Sequence, residues 1–139
     1  MQVAEHFSKF LAESTGNAIL VNPSRCTCED AITDNGQETW NLLTEYKIDN
    51  VILCGVHLNM CVLGRPFAIR QMVKLGKNVA LVRDMTDTMY NPDRPPGGTH
   101  FDGTDLIIEH VERYWCSSFL STDLTGKSAF RFKDDKRGR

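Results

Sequence analysis

The sequence predicts a layered α/β domain with a parallel sheet, and two observations support this fold class. Short apolar runs typical of strands alternate along the chain with segments whose apolar residues recur at helical spacing. Residues 51–56 are apolar on both alternating faces, which is typical of a central parallel strand covered by helices on both sides. Strands and helices in this alternating order give a parallel sheet with right-handed crossover connections.

The N-terminal elements are predicted from a helical stripe and a short apolar run. Four apolar residues share one helical face, Val3, Phe7, Phe10 and Leu11. Residues 18–21 form a short apolar run closed by Asn22 and Pro23, which predicts a buried strand.

The next two helices are predicted from capping residues and apolar spacing. Asn35 with Glu38 three residues later resembles a capping box and predicts a helix start. The apolar positions of this helix are Trp40, Leu42, Leu43 and Tyr46. A further helix follows residues 51–56, with Pro66 near its first turn and Gly76 at its end. Its apolar positions are Phe67, Ile69, Met72, Val73 and Leu75.

The C-terminal half predicts one more strand, a long loop and a last helix. The strand covers residues 79–82, and residues 84–103, rich in proline and glycine, are expected to form a loop over the strand ends. The helix runs from about residue 104 to 114. Its inward positions are expected to be Leu106, Ile107, His110 and Val111.

Length and composition fit one globular domain. The chain has 139 residues, of which 41% are hydrophobic and 24% charged, so it has enough apolar material for a single core. We treat residues 1–139 as one domain, with a divergent or truncated region at 1–30 and a charged tail at 130–139 that we expect to fray.

Charge and hydropathy disfavour several partners. The formal net charge is -2 and basic residues are dispersed until the last stretch, so nucleic acid is not an expected partner. No apolar run approaches the roughly 18 to 20 residues that span a bilayer, and no signal-type segment opens the sequence. We therefore expect a cytoplasmic protein with no membrane partner. Neither G-x-G-x-x-G nor G-x-x-x-x-G-K-[ST] occurs, which disfavours a nucleotide-binding module.

The five cysteines are expected to be reduced thiols, because their number is odd and two of them lie in or beside an apolar strand. They are Cys26, Cys28, Cys54, Cys61 and Cys116. The Cys26-Thr27-Cys28 pair could bind a metal, but a structural zinc site needs four ligands and no second pair accompanies it. We therefore expect neither a metal nor a cofactor.

One segment resembles a known family. Residues 51–62 read Val-Ile-Leu-Cys-Gly-Val-His-Leu-Asn-Met-Cys-Val and are followed by Ala68, Gly76, Val79 and Asp84. This run resembles the signature of isochorismatase-like cysteine hydrolases. It is especially similar to a bacterial branch with Gly-Val-His-Thr-Asn-Met-Cys-Val-Leu-Gly-Arg-Pro-Phe at this point, where Leu58 here replaces the Thr. The resemblance extends from about residue 31 to 132 and implies a three-layer, Rossmann-like parallel sheet flanked by helices.

The resemblance implies that Cys61 is the nucleophile and forms a thioester with the substrate. It also implies a cis peptide bond between Val56 and His57, and an oxyanion hole formed by the backbone amides of His57 and Cys61. Independently of the family, the positive end of a helix macrodipole favours a thiolate, and Cys61 is expected at a helix N-terminus. The alternative is that Cys61 is a small residue packed under a helix.

Polar residues near the strand ends are expected to line the substrate pocket, because ligands of parallel sheets bind beyond the carboxyl ends of the strands. The predicted lining residues are Asn59, Asp84, Tyr90 and Asn91. For Asp84 and Asp87, capping of a loop is the favoured alternative to catalysis. The His57 side chain is expected to be structural or to line the pocket.

The sequence departs from the family in its N-terminal part. The family's triad is Asp, Lys and Cys, yet no Asp precedes Asp30, and Lys9 is the only lysine before residue 31 and lies in a predicted helix. We infer that the family's first strand is missing and predict that residues 18–21 pair directly with residues 51–56. Because acid-base help is typically worth about 10² to 10⁴ in rate, turnover is expected to be weak.

Two functions follow from these observations. The first is hydrolysis of an amide-like or related carbonyl group of a small molecule through Cys61. The second is a non-catalytic or truncated homologue that serves in oligomer assembly or ligand binding. In both cases we expect a homo-oligomer, because a missing strand exposes apolar surface. Whether the chain is an enzyme stays open at this point.

Overall fold

The computed structural model describes residues 33–137. The helix predicted around Val3 to Leu11, the strand at 18–21, its pairing with residues 51–56 and the Cys26/Cys28 alternative lie outside these residues. The order of elements is α1 (Gly36–Glu45), β1 (Asn50–Val56), a π-helical turn (Leu58–Val62), α2 (Ile69–Lys74), β2 (Asn78–Asp87), α3 (His100–Tyr114), β3 (Ser117–Phe119) and α4 (Thr122–Thr125).

The described sheet has three parallel strands in the order β1-β2-β3, flanked by helices. The predicted α/β class with a parallel sheet is therefore confirmed. The register pairs Val51 with Val79 and Val56 with Asp87, which brings the carboxyl ends of β1 and β2 side by side. Within residues 33–137, β2 is the middle strand and β1 an edge strand, so the central position expected for β1 is not found in this part of the chain.

Apolar side chains cover both faces of this sheet. The largest cluster packs the π-helical turn, α2 and α3 against the sheet and contains Leu58, Leu63, Ile69, Leu81, Ile108, Val111 and Cys116. A second cluster, Leu43, Ile48 and Met72, lies under α1. A third, Ala80, Val82 and Phe119, lies on the opposite face of the sheet. The turn after β1 is thus built on the main core.

The start of α1 was predicted correctly, and half of its capping box forms. The Asn35 side chain accepts hydrogen bonds from the backbone amides of Gln37 and Glu38, at 2.8 and 3.2 Å. The Glu38 carboxylate accepts a bond from the Thr33 hydroxyl, and that hydroxyl in turn accepts from the Asn35 amide. Asn35 therefore caps the helix, but its own backbone amide donates to Thr33, so the second bond of a capping box, to the Glu38 carboxylate, is not formed.

Strand β2 is longer than the predicted 79–82. It continues to Asp87, so Asp84 lies in the strand and the loop begins only at Thr88. A register shift between Leu53 and Gly55 lets β1 follow this extension. The extra strand residues escaped prediction because three polar side chains are buried at this end, where the sequence suggests a solvent-exposed loop. These are Asp84, Thr86 and Thr88.

Helix α3 begins four residues before the predicted start at residue 104. Thr99 and Asp102 form a complete capping box, in which the Thr99 side chain accepts from the Asp102 amide and the Asp102 carboxylate accepts from the Thr99 amide. The predicted inward position of Leu106 is wrong, because this residue is 47% exposed. The buried positions of α3 are Gly103, Thr104, Ile108 and Val111.

Residues 115–137 hold two elements that the sequence analysis missed, β3 and α4. The tail from residue 130, expected to fray, packs against the domain as far as Arg137. The Arg137 guanidinium donates to the Phe101 carbonyl at 2.6 Å and pairs with Asp105 at 2.6 Å and Asp135 at 2.8 Å. The charged residues of this segment thus form specific contacts with α3 and with each other.

Candidate functional site

The candidate site lies on the turn that follows β1. The peptide bond between Val56 and His57 is cis. The His57 carbonyl accepts hydrogen bonds from the amides of Met60 at 3.1 Å and Val62 at 3.2 Å, which closes the π-helical turn. Leu58 is completely buried in the main core, whereas Met60 is 52% exposed. The turn therefore has one side packed on the protein and one side facing solvent.

Cys61 is the fourth residue of this turn, is half-buried and has a free thiol. Its position differs from the expectation of a helix N-terminus. The turn has five residues, and α2 begins only at Ile69, after a bend that contains Pro66. A macrodipole needs a longer run of aligned peptides, so it does not explain how the Cys61 thiol would be activated.

The other described cysteines are poorer nucleophiles at neutral pH. Cys116 is buried in the main core, and this desolvation, together with the nearby Glu112, raises the pKa of its thiol to about 12. Desolvation also raises the pKa of the Cys54 thiol on β1. Cys61 differs from both in its place on the turn at the carboxyl end of β1, which makes it the best-placed candidate nucleophile in residues 33–137.

Asn59, predicted to line the substrate pocket, uses its side chain within the protein. Its amide nitrogen donates to the Met89 carbonyl at 2.9 Å, and its amide oxygen accepts from the Met89 backbone nitrogen at 3.0 Å. The contact joins the Cys61 turn to the segment that follows β2. Asn59 is thus beside the candidate nucleophile, with its amide group already occupied.

Asp84, also predicted to line the substrate pocket, uses its carboxylate within the protein. It is 2% exposed, and its carboxylate accepts from the Ser121 amide at 2.8 Å, the Ser121 hydroxyl at 2.5 Å and the Phe130 amide at 2.9 Å. The structure therefore agrees with the alternative of a capping carboxylate. The partners are 37 and 46 residues away along the chain, too distant to be inferred from the sequence.

Tyr90 and Asn91, the other predicted lining residues, lie in the loop between β2 and α3. The Tyr90 hydroxyl donates to the Gly97 carbonyl at 2.5 Å, and its ring packs so closely on Gly103 that a Cβ there would lie 2.1 Å from the Tyr90 Cγ. Asn91 is exposed and accepts from the Asp93 amide at 2.9 Å. Tyr90 thus ties the loop to α3, whereas Asn91 shapes the loop itself.

A contact between His100 and Asp87, at the carboxyl end of β2, was not predicted from the sequence. His100 Nε2 lies 2.8 Å from Asp87 Oδ1, and His100 Nδ1 lies 3.3 Å from the Tyr90 carbonyl. Both ring nitrogens of His100 thus lie within hydrogen-bond distance of an acceptor. His100 is therefore placed as a link between β2, the loop and α3. The Thr99 to Asp102 capping pattern, which puts His100 at a helix start, is the signal that could have found it.

The described residues show neither a metal cluster nor a membrane helix. In residues 33–137 no group of three or more His, Cys, Asp or Glu side chains could hold a metal ion. No helix in the same range is long and apolar enough to cross a bilayer. A groove of about 580 Å³ between α1 and α2 is formed away from the Cys61 turn. Its lining residues are Asp34, Asn35, Gly36, Gln37, Trp40, Pro66, Gln71 and Leu75.

Comparison with known proteins supports the fold. No protein-family model matches the chain, and no curated protein matches it. Among solved structures, the chain is similar to a cysteine hydrolase from Pseudomonas syringae pv. phaseolicola 1448A, with a TM-score of 0.54 and 18% sequence identity. The match covers 71% of this chain and 49% of that chain, so this chain spans about half the length of its structural neighbour.

The structural match concerns the fold of the chain. The chain shares the α/β fold of this cysteine hydrolase, as the resemblance stated from the sequence implies. At 18% identity the likeness shows the shared fold alone, and the chemistry of this chain has to be argued from its own residues.

Proposed function

We propose that this chain is a cysteine hydrolase of the isochorismatase-like type that acts on an amide-like or related carbonyl group of a small molecule. The observation that supports the proposal is the placement of Cys61, a free and half-buried thiol on a tight turn at the carboxyl end of a parallel strand. Ligands of parallel sheets bind at this edge. A cysteine with a structural role alone is usually buried in the core, as Cys116 is here.

The proposed reaction proceeds through a thioester. The Cys61 thiolate attacks the carbonyl carbon, a carbon–sulfur bond forms, and the carbon–nitrogen or carbon–oxygen bond to the leaving group breaks as that group takes up a proton. Water then attacks the thioester carbon, which releases the carboxylic acid and regenerates the thiol. The backbone amides of His57 and Cys61 are proposed to stabilise the negative oxygen of each tetrahedral intermediate.

Proton transfer is the weak point of this mechanism. Within residues 33–137, the two carboxylates of β2 are already engaged, Asp84 with three donors and Asp87 with His100. Loss of general acid-base help typically costs about 10² to 10⁴ in rate. We therefore propose that acylation of Cys61 is easier to detect than sustained turnover.

An activated ester tests the proposal without knowledge of the natural substrate. With 4-nitrophenyl acetate, we expect 4-nitrophenolate to be released while one acetyl group is found on Cys61 by intact-mass and peptide analysis. Cys61→Ser should abolish both signals, whereas Cys54→Ser, which removes the thiol on β1, should leave them unchanged. Acetylation of other cysteines at the same rate as Cys61, or of none, would contradict the proposed nucleophile.

An alternative is a non-catalytic homologue that assembles as a homo-oligomer. The observation in its favour is a group of exposed apolar side chains around the same turn, since such patches often mark contact surfaces. Val56 is 59%, Met60 52% and Met89 56% exposed. In that case Cys61 would not be acetylated and light scattering would give a multiple of the single-chain mass. Acetylation of Cys61 in a monomer would exclude this alternative.

A further inference from the structure

We propose that Asn59 is a positioning residue, which holds the Cys61 turn against the end of β2 so that the sulfur stays in place for attack. The inference rests on the proposed hydrolase function and deepens it. It assigns to Asn59 a role different from pocket lining, because the side-chain amide is directed at the backbone of Met89.

The contact between Asn59 and Met89 is chemically complementary on both sides. A peptide unit offers one N–H and one carbonyl, and a carboxamide side chain offers the matching acceptor and donor. Both bonds form here, at 2.9 and 3.0 Å, between residues 30 positions apart. Aspartate at this position would have no N–H to donate and serine would have a single hydroxyl, so neither could form the same pair of bonds. The side chain thus acts as a specific cross-link between two neighbouring segments.

Two consecutive residues anchor the turn in different directions. Leu58 is completely buried and holds the turn against the main core. Asn59 holds the turn against Met89. Met89 lies two positions beyond Asp87, which is the register partner of Val56. The turn is also closed by the His57 carbonyl, which accepts hydrogen bonds from the amides of Met60 and Val62. Cys61 lies between Asn59 and Val62 in this turn, so a shift of Asn59 shifts the sulfur and the turn amides together.

Such a shift matters more for the reaction than for the fold. Reacting atoms must approach within about 3 to 3.5 Å with aligned orbitals, and a misplacement of about 1 Å can cost about 100-fold in rate. The hydrogen bonds of Asn59 are exposed to solvent, which can replace them in a variant. Removal of the side chain should therefore lower the acylation rate with a small effect on unfolding.

The structure offers a matched control at the other end of the same two strands. The Asn78 side chain on β2 donates to the Asn50 side chain on β1 at 2.9 Å, and this contact is also exposed. Asn78→Ala therefore removes an amide cross-link between β1 and β2 that lies far from Cys61. A general loss of strand pairing would affect Asn78→Ala and Asn59→Ala alike.

The experiment measures acylation of Cys61 by 4-nitrophenyl acetate at several ester concentrations, together with the melting temperature. Asn59→Ala is expected to lower the limiting acylation rate by about 10- to 100-fold while the half-saturating ester concentration stays near the wild-type value. The limiting acylation rate of Asn59→Asp, which keeps one hydrogen-bond acceptor, should lie between the rates of the wild type and Asn59→Ala. Asn78→Ala should acylate at the wild-type rate, and both alanine variants should show similar melting temperatures.

The outcomes separate this inference from the proposed function. Wild-type acylation in Asn59→Ala, or a raised half-saturating concentration with an unchanged limiting rate, would overturn the positioning role. A slower Asn78→Ala variant would also overturn it, because the effect would then follow strand pairing in general. Absence of Cys61 acylation in the wild-type chain would instead reject the hydrolase proposal itself.

Discussion

At the scale of single residues, the polar side chains near the strand ends are mostly engaged with the protein itself. Asn59, Asp84 and Tyr90 were all predicted to face a substrate, and each forms hydrogen bonds to the backbone. The sequence indicates where a polar residue stands in relation to a strand. It does not show which distant backbone groups meet that residue, and those groups decide whether it is available for binding. Cys61 is different because its motif specifies the turn and its neighbours in the chain.

Asp84 provides a prediction at this scale. Asp84→Asn replaces one carboxylate oxygen by an NH₂ group, which faces donors from Ser121 and Phe130 and cannot accept from them. Loss of hydrogen bonds from a buried group typically costs about 1 to 3 kcal/mol, so the free energy of unfolding should fall by that amount. Urea denaturation measures the change. Asp34→Asn, on an exposed residue, is the control and should be close to wild type.

An Asp84→Asn variant as stable as the control would mean that the tail contacts contribute little. The anchoring of β3 and the tail to β2 would then have to depend on apolar packing, for example through Phe119.

At the scale of elements, the sequence predicted the type of each helix and strand better than its limits. The start of α1 was found because Asn35 is a strong helix cap. The start of α3 was missed because the cap Thr99 follows a proline- and glycine-rich stretch and pairs with Asp102, whereas the usual capping box has Glu or Gln. Leu106 was misplaced because an apolar side chain was assumed to face inward, whereas the buried stripe of α3 includes the polar Thr104 together with Ile108 and Val111.

The cap of α3 predicts how the stability of the protein depends on pH. Hydrogen bonds from the backbone amide and then the hydroxyl of Thr99 lower the pKa of Asp102 below its ordinary value, and the charge of Arg137 contributes in the same direction. A carboxylate with a lowered folded-state pKa stabilises the protein above the unfolded-state pKa of about 4, and this contribution is lost as the pH falls through the folded-state pKa. Acidification should therefore remove the benefit of Asp102.

Thermal unfolding of wild type and Asp102→Asn at several pH values measures this dependence. We expect the wild type to have the higher melting temperature at about pH 7 and the difference to shrink below about pH 4. Asp93→Asn, in the exposed loop before α3, should show no such convergence. A constant difference between wild type and Asp102→Asn at all pH values would contradict the assignment.

At the scale of the whole molecule, the parallel sheet was predictable and the arrangement around it was not. The double-faced apolar pattern of residues 51–56 and the apolar run at 79–82 predicted two strands of a parallel sheet, and both strands form and pair in parallel. The position of β3 beside β2 was not predicted, because β3 has only three residues and little apolar character. Its place depends on contacts with α3 and on the Asp84 anchor, which are properties of the folded chain.

The docked tail allows a test at this scale. Arg137→Ala removes one carbonyl contact and two ion pairs, which link the tail to the first turns of α3 and to Asp135. Because hydrogen bonds to charged groups contribute about 1.5 to 3 kcal/mol, the free energy of unfolding should fall by about this range. Urea denaturation measures the loss, and Lys136→Ala, on the exposed neighbour, should be close to wild type. An Arg137→Ala variant equal to Lys136→Ala would show that the tail is not held by these contacts.

The Arg137 contacts have a consequence for the handling of this protein. The Arg137 guanidinium donates to the carbonyl of Phe101, the second residue of α3. The preceding residue, His100, is bonded to Asp87 at the end of β2, beside the Cys61 turn. A protease that clips the chain ahead of Arg137 would therefore release a restraint on the first turn of α3, one residue away from the contact between His100 and the end of β2. Preparations should be checked for intact mass before their thiol chemistry is compared.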